Sequence, residues 1–511
     1  MSLISLSFFV LLSVTFLLYF LMPIRFRWMV LLIMSLAFYI YGGALKALFL
    51  LPAVLVPYIA GRRISSIYEN GDTDKLSQKK KAKPYAVTAV IILVGMLVFF
   101  KIASKSMSGL SAILMGKKIT ISLLVPLGIS YYTFSLIGYI LDVYWRKSKA
   151  ENNILHLMLY AIYFPHIIEG PIPKYGRLMP GLLEGHRFDY KRVTFGLQRV
   201  LWGLYKKMVI ADRAALMTTA VFSNHLAYAG IYYAVAIIAS AVQLYADFSG
   251  CMDIVIGISE CFGVELSENF KRPFFSTSAA EFWRRWHITL GAWFKDYIYM
   301  PLVINPGLLS FSKKIRDKWG VRAGKNVMTV VPLLVVWLLT GLWHGTGLGY
   351  IIWGLYWGII IIFSTVCAPE LKKLNDRLHI NVDSAGWKRW QKVRTFLIFC
   401  GGRLLTAPGS LRVSGAMVKS FIRDFNPWIF FDGEIYNAGL DMPNMWCLII
   451  SLLLLFVVSF WQEKGVKIRE KVSSYPIAIR WMLYIALIFA VVIFGIYGPG
   501  YSSSAFVYSQ Y

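Results

Sequence analysis

Long apolar stretches dominate this chain, and short basic segments separate them. Residues 3–22 are apolar up to Pro23, and a short loop with Arg25 and Arg27 follows. Further apolar runs lie at about 28–42 and 44–60, broken at Gly42-Gly43, and then at about 85–101, 120–143, 195–221 and 229–258. The last ones fall at about 327–342, 349–367, 395–407, 444–461 and 480–497. A helix crosses the hydrocarbon core with roughly 20 apolar residues. Barrel-type alternation is absent, and only helices or closed barrels satisfy their backbone in lipid. The pattern therefore predicts an all-α, polytopic integral membrane protein with about 11 crossings, plus re-entrant or amphipathic helices.

The basic segments give the orientation. Residues 61–84 read as a soluble loop carrying Arg62, Arg63, Lys75, Lys79, Lys80, Lys81 and Lys83, and a weaker basic loop ends at Lys118. Lys and Arg accumulate on the cytoplasmic side of a membrane. Counting back from 61–84 puts the N-terminus outside, and the strongly basic loops at 146–149, 313–325, 370–394 and 464–471 then share the inside. Residues 3–22 lack a preceding basic region and a small-residue cleavage site, so they read as a retained membrane helix. No repeat or soluble domain stands out, and residues 1–511 read as one membrane domain.

Two interruptions in the apolar runs change this picture. The stretch 153–175 is apolar but broken by Pro165, Pro171 and Pro173. It reads either as a re-entrant or kinked element holding His166 and Glu169, or as an interfacial loop with both side chains solvated. Gln243 and Asp247 sit inside the 229–258 run, and a carboxylate at that depth is expected to be paired or to line a cavity.

Composition agrees with the pattern: 58% of residues are hydrophobic and 15% charged, against about a quarter charged in soluble domains. The formal charge of +27 would suit a nucleic-acid binder, but its placement in short loops between apolar runs fits lipid contact and membrane orientation instead. Cys251, Cys261, Cys367, Cys400 and Cys447 are scattered without metal or disulfide spacing and read as small core residues. No metal site is predicted.

The polar exception is the stretch from Asn269 to Gly345. It contains Glu281-Phe-Trp-Arg-Arg-Trp-His-Ile-Thr-Leu-Gly-Ala-Trp-Phe-Lys-Asp-Tyr-Ile-Tyr-Met-Pro301 and ends on Gly341-Leu-Trp-His-Gly345. Two of the seven histidines, His287 and His344, lie here, each after a tryptophan. Ser278-Ala-Ala-Glu281 reads as a capping box opening a helix. On that helix Glu281 and Arg285 share a face four residues apart, and Trp283, His287 and Leu290 share another. An amphipathic helix lying at the membrane interface would show the same residues.

Five ordered blocks carry a family resemblance. They are Pro126-Leu-Gly-Ile-Ser-Tyr-Tyr-Thr-Phe-Ser-Leu-Ile-Gly-Tyr-Ile-Leu-Asp-Val-Tyr144, Tyr163-Phe-Pro-His-Ile-Ile-Glu-Gly-Pro-Ile-Pro173, Tyr245-Ala-Asp-Phe-Ser-Gly250, the central block with its Trp343-His344-Gly345, and the tail Ala505-Phe-Val-Tyr-Ser-Gln-Tyr511. Together they resemble the membrane-bound O-acyltransferase (MBOAT) family, in particular its bacterial alginate O-acetyltransferase branch and related polysaccharide-acetylating proteins.

The resemblance implies an enzyme that passes an acyl group, acetyl in this branch, from a cytoplasmic thioester across the cell membrane for O-acetylation of an extracellular polysaccharide. It implies acetyl-CoA or a carrier-protein thioester as donor, with no bound cofactor, and a separate extracytoplasmic hydrolase-like transferase as partner. His344 matches the histidine regarded as catalytic, and His287 a second histidine of the signature, with either a catalytic or a structural, orienting role. Histidine suits proton removal from an attacking hydroxyl because its ordinary pKa of about 6.5 lies near working pH.

Glu281, Arg284, Trp286, Asp296, Trp343, Asp247 and Asn269 are candidate donor or substrate contacts, with bracing of the helix as the alternative for the charged ones. One departure concerns the acceptor. An aromatic-rich Phe-Phe-Arg-Ala segment is expected after the Trp-His-Gly block, and the nearest match, Gly401-Gly-Arg-Leu-Leu-Thr-Ala-Pro408, keeps Arg403 but not the aromatics. D-alanyl transfer to teichoic acid is the alternative chemistry. A non-enzymatic transporter is a third reading, which predicts inverted repeats that the two halves do not display.

Overall fold

The computed structural model describes residues 2–69, 74–115, 125–345, 347–497 and 506, with backbone alone for 102–115. The described chain is helical, and its one β pairing is an isolated bridge between Phe270 and Trp286. Eight described helices are long and apolar enough to cross a membrane, among them Ile231–Cys261, Val321–His344, Leu348–Val366 and Met442–Glu463. Leu6–Leu21 is apolar but shorter. The protein is an all-α, multi-pass membrane protein.

Some boundaries differ from the sequence reading. The predicted loop 61–84 is mostly helix, because Leu50–Glu69 runs through its first half and Lys75–Met115 starts in its second. Lys and Arg are good helix formers, so basic flanks extend apolar helices rather than ending them. The predicted loop before 443 contains the helix Leu411–Arg423. The loop ending at Lys118, the 120–124 start of the fifth span and the tail block other than Phe506 lie outside the described residues.

Contacts divide the chain into two compact units: Met1–Val200 with Cys251–Glu268, and Leu201–Gly250 with Asn269–Tyr511. In the first unit, Ile129–Tyr144 is buried along nearly its whole length. The broken stretch after Ile162 packs inside the unit, with His166 2% exposed and Glu169 fully buried. The solvated-loop reading of 153–175 is thereby excluded. Gly128 explains the tight fit: its φ is +67°, and a Cβ there would sit 2.1 Å from the Ile167 carbonyl oxygen. Arg199 grips both oxygens of Glu268 at 2.7 and 2.6 Å and reaches Asp253 at 2.9 Å.

In the second unit, Val321–His344 and Leu348–Val366 form a hairpin closed through glycines. A Cβ on Gly354 would lie 2.5 Å from the Trp337 carbonyl oxygen, and one on Gly341 2.5 Å from that of Tyr350. Small residues let two membrane helices approach backbone to backbone. Around Val209, Ile210, Met217, Ala236 and Leu448 a separate apolar core forms. Asp212–Ser223 supplies Met217 to it, and Met442–Glu463 supplies Leu448.

Candidate active site

The capping box forms, with a shift in its second half. The Ser278 hydroxyl accepts from the Glu281 amide at 3.2 Å, while the Glu281 carboxylate receives the amide and hydroxyl of Thr277, both at 2.8 Å, one residue before the cap. The helix it opens is short, Ala279–Arg285. Trp286 turns extended, and His287 adopts the left-handed conformation at φ 46°. Trp283, His287 and Leu290 therefore do not share one helix face. The Phe270–Trp286 bridge explains the break: Lys271 N–H donates to the Arg285 carbonyl at 2.9 Å, and Ile288 N–H to the Asn269 carbonyl at 3.0 Å. A backbone bonded sideways to 269–271 cannot continue its own helical ladder.

This break aims His287 inward. It is 2% exposed, with its ring edge-on to Phe248 at 4.8 Å. Its Nδ1 lies 3.3 Å from Asn269 Oδ1, which also receives the Thr289 amide at 3.0 Å and hydroxyl at 2.9 Å. An atom that accepts from a backbone N–H is a carbonyl oxygen, so His287 Nδ1–H must be the donor, which leaves the lone pair on Nε2. Burial pushes the imidazole down to about 3, so the ring is neutral at ordinary pH.

His344 is the last residue of Val321–His344, with Gly345 as the cap, and is 6% exposed. Tryptophans surround it: Trp343 at 4.7 Å and Trp353 at 5.0 Å between ring centroids. Trp353 in turn meets Trp283 at 5.7 Å and Trp337 at 6.3 Å. Trp343 also meets His287, at 6.1 Å. The fold thus brings His287, His344, Trp343 and Asn269 into one buried cluster. Such a cluster excludes water.

The remaining candidates have the following surroundings. Glu281 pairs with Arg285 at 2.7 Å, and Arg285 joins Glu463, which also holds Arg272 at 2.6 Å. Trp286 stacks on Phe282 at 5.4 Å and tilts against Phe399 at 5.0 Å, deep in an aromatic core. Arg284 is exposed, and Asp296 is half-buried on the π-helical turn Lys295–Tyr299. Arg403 donates to Ser240 Oγ at 3.3 Å.

Asp247 is paired, as its depth requires. Lys207 Nζ lies 2.7 Å from it and 2.9 Å from Asp212, all three side chains being buried, with the Phe506 ring 4.7 Å from the same nitrogen. Lys207 lies on the π-helical turn Tyr205–Ala211, and such turns are frequent at functional sites. Sequence reasoning passed over Lys207, although two lysines inside the apolar run 195–221 were a usable signal. It also passed over Trp353 and Glu463, which no local pattern marks. Among the described residues no group of three or more His, Cys, Asp or Glu is placed to hold a metal ion.

The family model described as MBOAT, membrane-bound O-acyltransferase family, matches residues 148–313. The probable alginate O-acetylase of Azotobacter vinelandii is 32% identical over 451 residues, covering 86% of this chain and 80% of that protein. The peptidoglycan O-acetyltransferase of Helicobacter pylori is 31% identical over 54% of each chain. The teichoic acid D-alanyltransferase of Bacillus subtilis is 28% identical over 46% of this chain and 58% of its own.

Proposed function

The chain belongs to the membrane-bound O-acyltransferase family, and we propose that it carries an acetyl group from a cytoplasmic thioester to the far side of the cell membrane for O-acetylation of an extracellular polysaccharide. That it is an acyltransferase follows from the family. The donor is inferred to be acetyl-CoA or an acetylated carrier protein. The final transfer is assigned to a separate extracytoplasmic, hydrolase-like transferase. The alginate O-acetylating relative supports acetyl over D-alanyl, since it matches over 86% of the chain and the Bacillus D-alanyltransferase over 46%.

One observation carries the assignment of residues: His344 and His287, 57 positions apart, are buried against the same Trp343 ring. In the proposed step the acceptor hydroxyl gives its proton to the His344 imidazole as its oxygen bonds to the thioester carbonyl carbon. The C–S bond then breaks, and the leaving thiolate takes that proton. His287, neutral and held through Nδ1 by Asn269, presents Nε2 as an acceptor that orients a hydroxyl.

The test compares ester-linked acyl groups on exported polymers in wild type and in His344→Ala at matched membrane expression. Loss of acetyl ester from one polysaccharide supports the reading and names the polymer. Loss of D-alanyl ester replaces acetyl with alanyl chemistry, and unchanged esters make His344 structural.

A further inference from the structure

We propose that the second unit holds one anionic phospholipid, with an acyl chain in an aromatic crevice and the phosphate at a cationic rim formed by Arg272, Lys392 and Arg394. The crevice, about 160 Å³, is lined by Val242, Tyr245, Phe275, Phe396, Leu452 and Phe456, with Ser459 near one end. The crevice is open along one side and its walls are apolar apart from Arg272, the Tyr245 hydroxyl and Ser459, so burying part of a hydrocarbon chain there is favourable. Leu452, Phe456 and Ser459 follow one another down Met442–Glu463 toward its last residue, so the slot runs along a membrane-spanning helix and ends at its polar terminus.

That terminus is cationic. Arg272 lines the crevice itself, and Lys392 Nζ sits 5.4 Å from the ring of Phe275, which also lines it. Arg394 donates to the carbonyl of Thr277, two residues after the lining Phe275, at 2.9 Å through one terminal nitrogen. Its Nε–H is buried with no hydrogen-bond partner among the described residues. A buried guanidinium donor without an acceptor is costly, and a phosphate oxygen would satisfy it.

The local carboxylates do not balance this charge. Glu463 is shared between Arg272 and Arg285, and Glu281 is taken by Arg285. Four cations thus face two carboxylates. The basic segment with Lys464, Lys467, Arg469 and Lys471 follows directly. By the Lys/Arg rule this is the cytoplasmic side, whose leaflet carries the anionic lipids. Charge and apolar slot together select an anion with a hydrocarbon tail.

The proposal is independent of the acyl-transfer reading, and its test reads binding. Full-length protein in mild detergent, stripped of lipid, is titrated with phosphatidylglycerol, phosphatidylcholine and inorganic phosphate. Bound lipid is counted by native mass spectrometry, and thermal unfolding is followed in parallel. Phosphatidylglycerol should bind and raise the unfolding midpoint, with phosphatidylcholine weaker by about tenfold and phosphate without effect. Leu452→Trp, which fills the slot, and the double variant K392Q/R394Q, which removes two of the three rim cations, should each weaken phosphatidylglycerol binding by about tenfold. Should Leu452→Trp fail to fold, the double variant decides alone. Equal binding of the two lipids, a shift reproduced by phosphate, or undiminished phosphatidylglycerol binding by a folded variant would overturn the proposal.

Discussion

His287 and His344 both pack against the indole of Trp343, at 6.1 and 4.7 Å between ring centroids. His344 and Trp343 are neighbours at the end of one helix, whereas His287 arrives from the break after a different helix. The relationship makes Trp343 the mechanical link between them. His344→Ala and His344→Gln should each lower acyl transfer by about 10²–10⁴-fold, the usual contribution of a positioned base. Trp343→Phe should lose much less and Trp343→Ala much more than Phe, measured as acetyl ester formed per unit of membrane protein. Equal, small losses for both tryptophan variants would mean that the indole does not couple the two histidines.

Asn269 sets the tautomer of His287. In Asn269→Asp a carboxylate replaces the amide oxygen 3.3 Å from Nδ1, and an adjacent opposite charge favours the imidazolium by about 1–3 pKa units. The pH profile of acyl transfer should therefore shift upward in this variant. Asn269→Ala should lower the rate without that shift. A profile identical to wild type in Asn269→Asp would remove Asn269 from the control of His287.

Lys207 is the shared cation of Asp212 and Asp247. Lys207→Met leaves two buried carboxylates without it, and removing one partner of a buried ion pair costs about 3–5 kcal/mol. The variant should unfold at a clearly lower temperature in detergent. Adding Asp247→Asn should recover part of the loss. If the double variant is no more stable than Lys207→Met, the pairing is not what holds this turn.

Glu281 supplies a pH dependence. Burial raises its pKa, but the Thr277 amide and hydroxyl and the Arg285 guanidinium outweigh burial and hold it below its ordinary value of 4.5. A carboxyl depressed in the fold contributes stability that is complete above the unfolded value and lost as pH falls through the folded one. The protein should thus lose stability on acidification below about 4.5, and Glu281→Gln should flatten that limb. With a quarter of each side chain in solvent, the pair should be worth no more than about 1 kcal/mol at neutral pH. An unchanged acid limb in Glu281→Gln assigns the loss to other groups.

Gly354→Val tests the hairpin. Its Cβ would meet the Trp337 carbonyl at 2.5 Å, a backbone atom that has no rotamer to yield. Overpacking of this kind typically costs about 1–3 kcal/mol. Because Trp337 and Trp353 belong to the His344 surround, transfer activity should fall together with the unfolding midpoint. A variant stable as wild type would show that the two helices have room to part.

Much of this protein is determined by its sequence alone, for reasons that are local. Runs of apolar residues long enough for a bilayer must become helices whatever they pack against, and the Ser278 cap forms where a hydroxyl precedes three free amides. The buried polar residues also stand out in the sequence, since Asp247, His287 and His344 interrupt apolar or aromatic surroundings. What only the tertiary structure decided is which of them meet. The break at Trp286–His287 comes from a bridge to Phe270, sixteen residues earlier, and no periodicity in 279–290 announces it. Lys207 looks like a mere flaw in an apolar run until the Ile231–Cys261 helix brings Asp247 to it. Glu463 lies 178 and 191 residues from the two arginines it holds. Trp353 reaches His344 because glycines let two helices touch. Each of these depends on the free energy of packing between distant segments, which is large enough to override a helix in progress or to bury a charge, and which a local pattern does not contain.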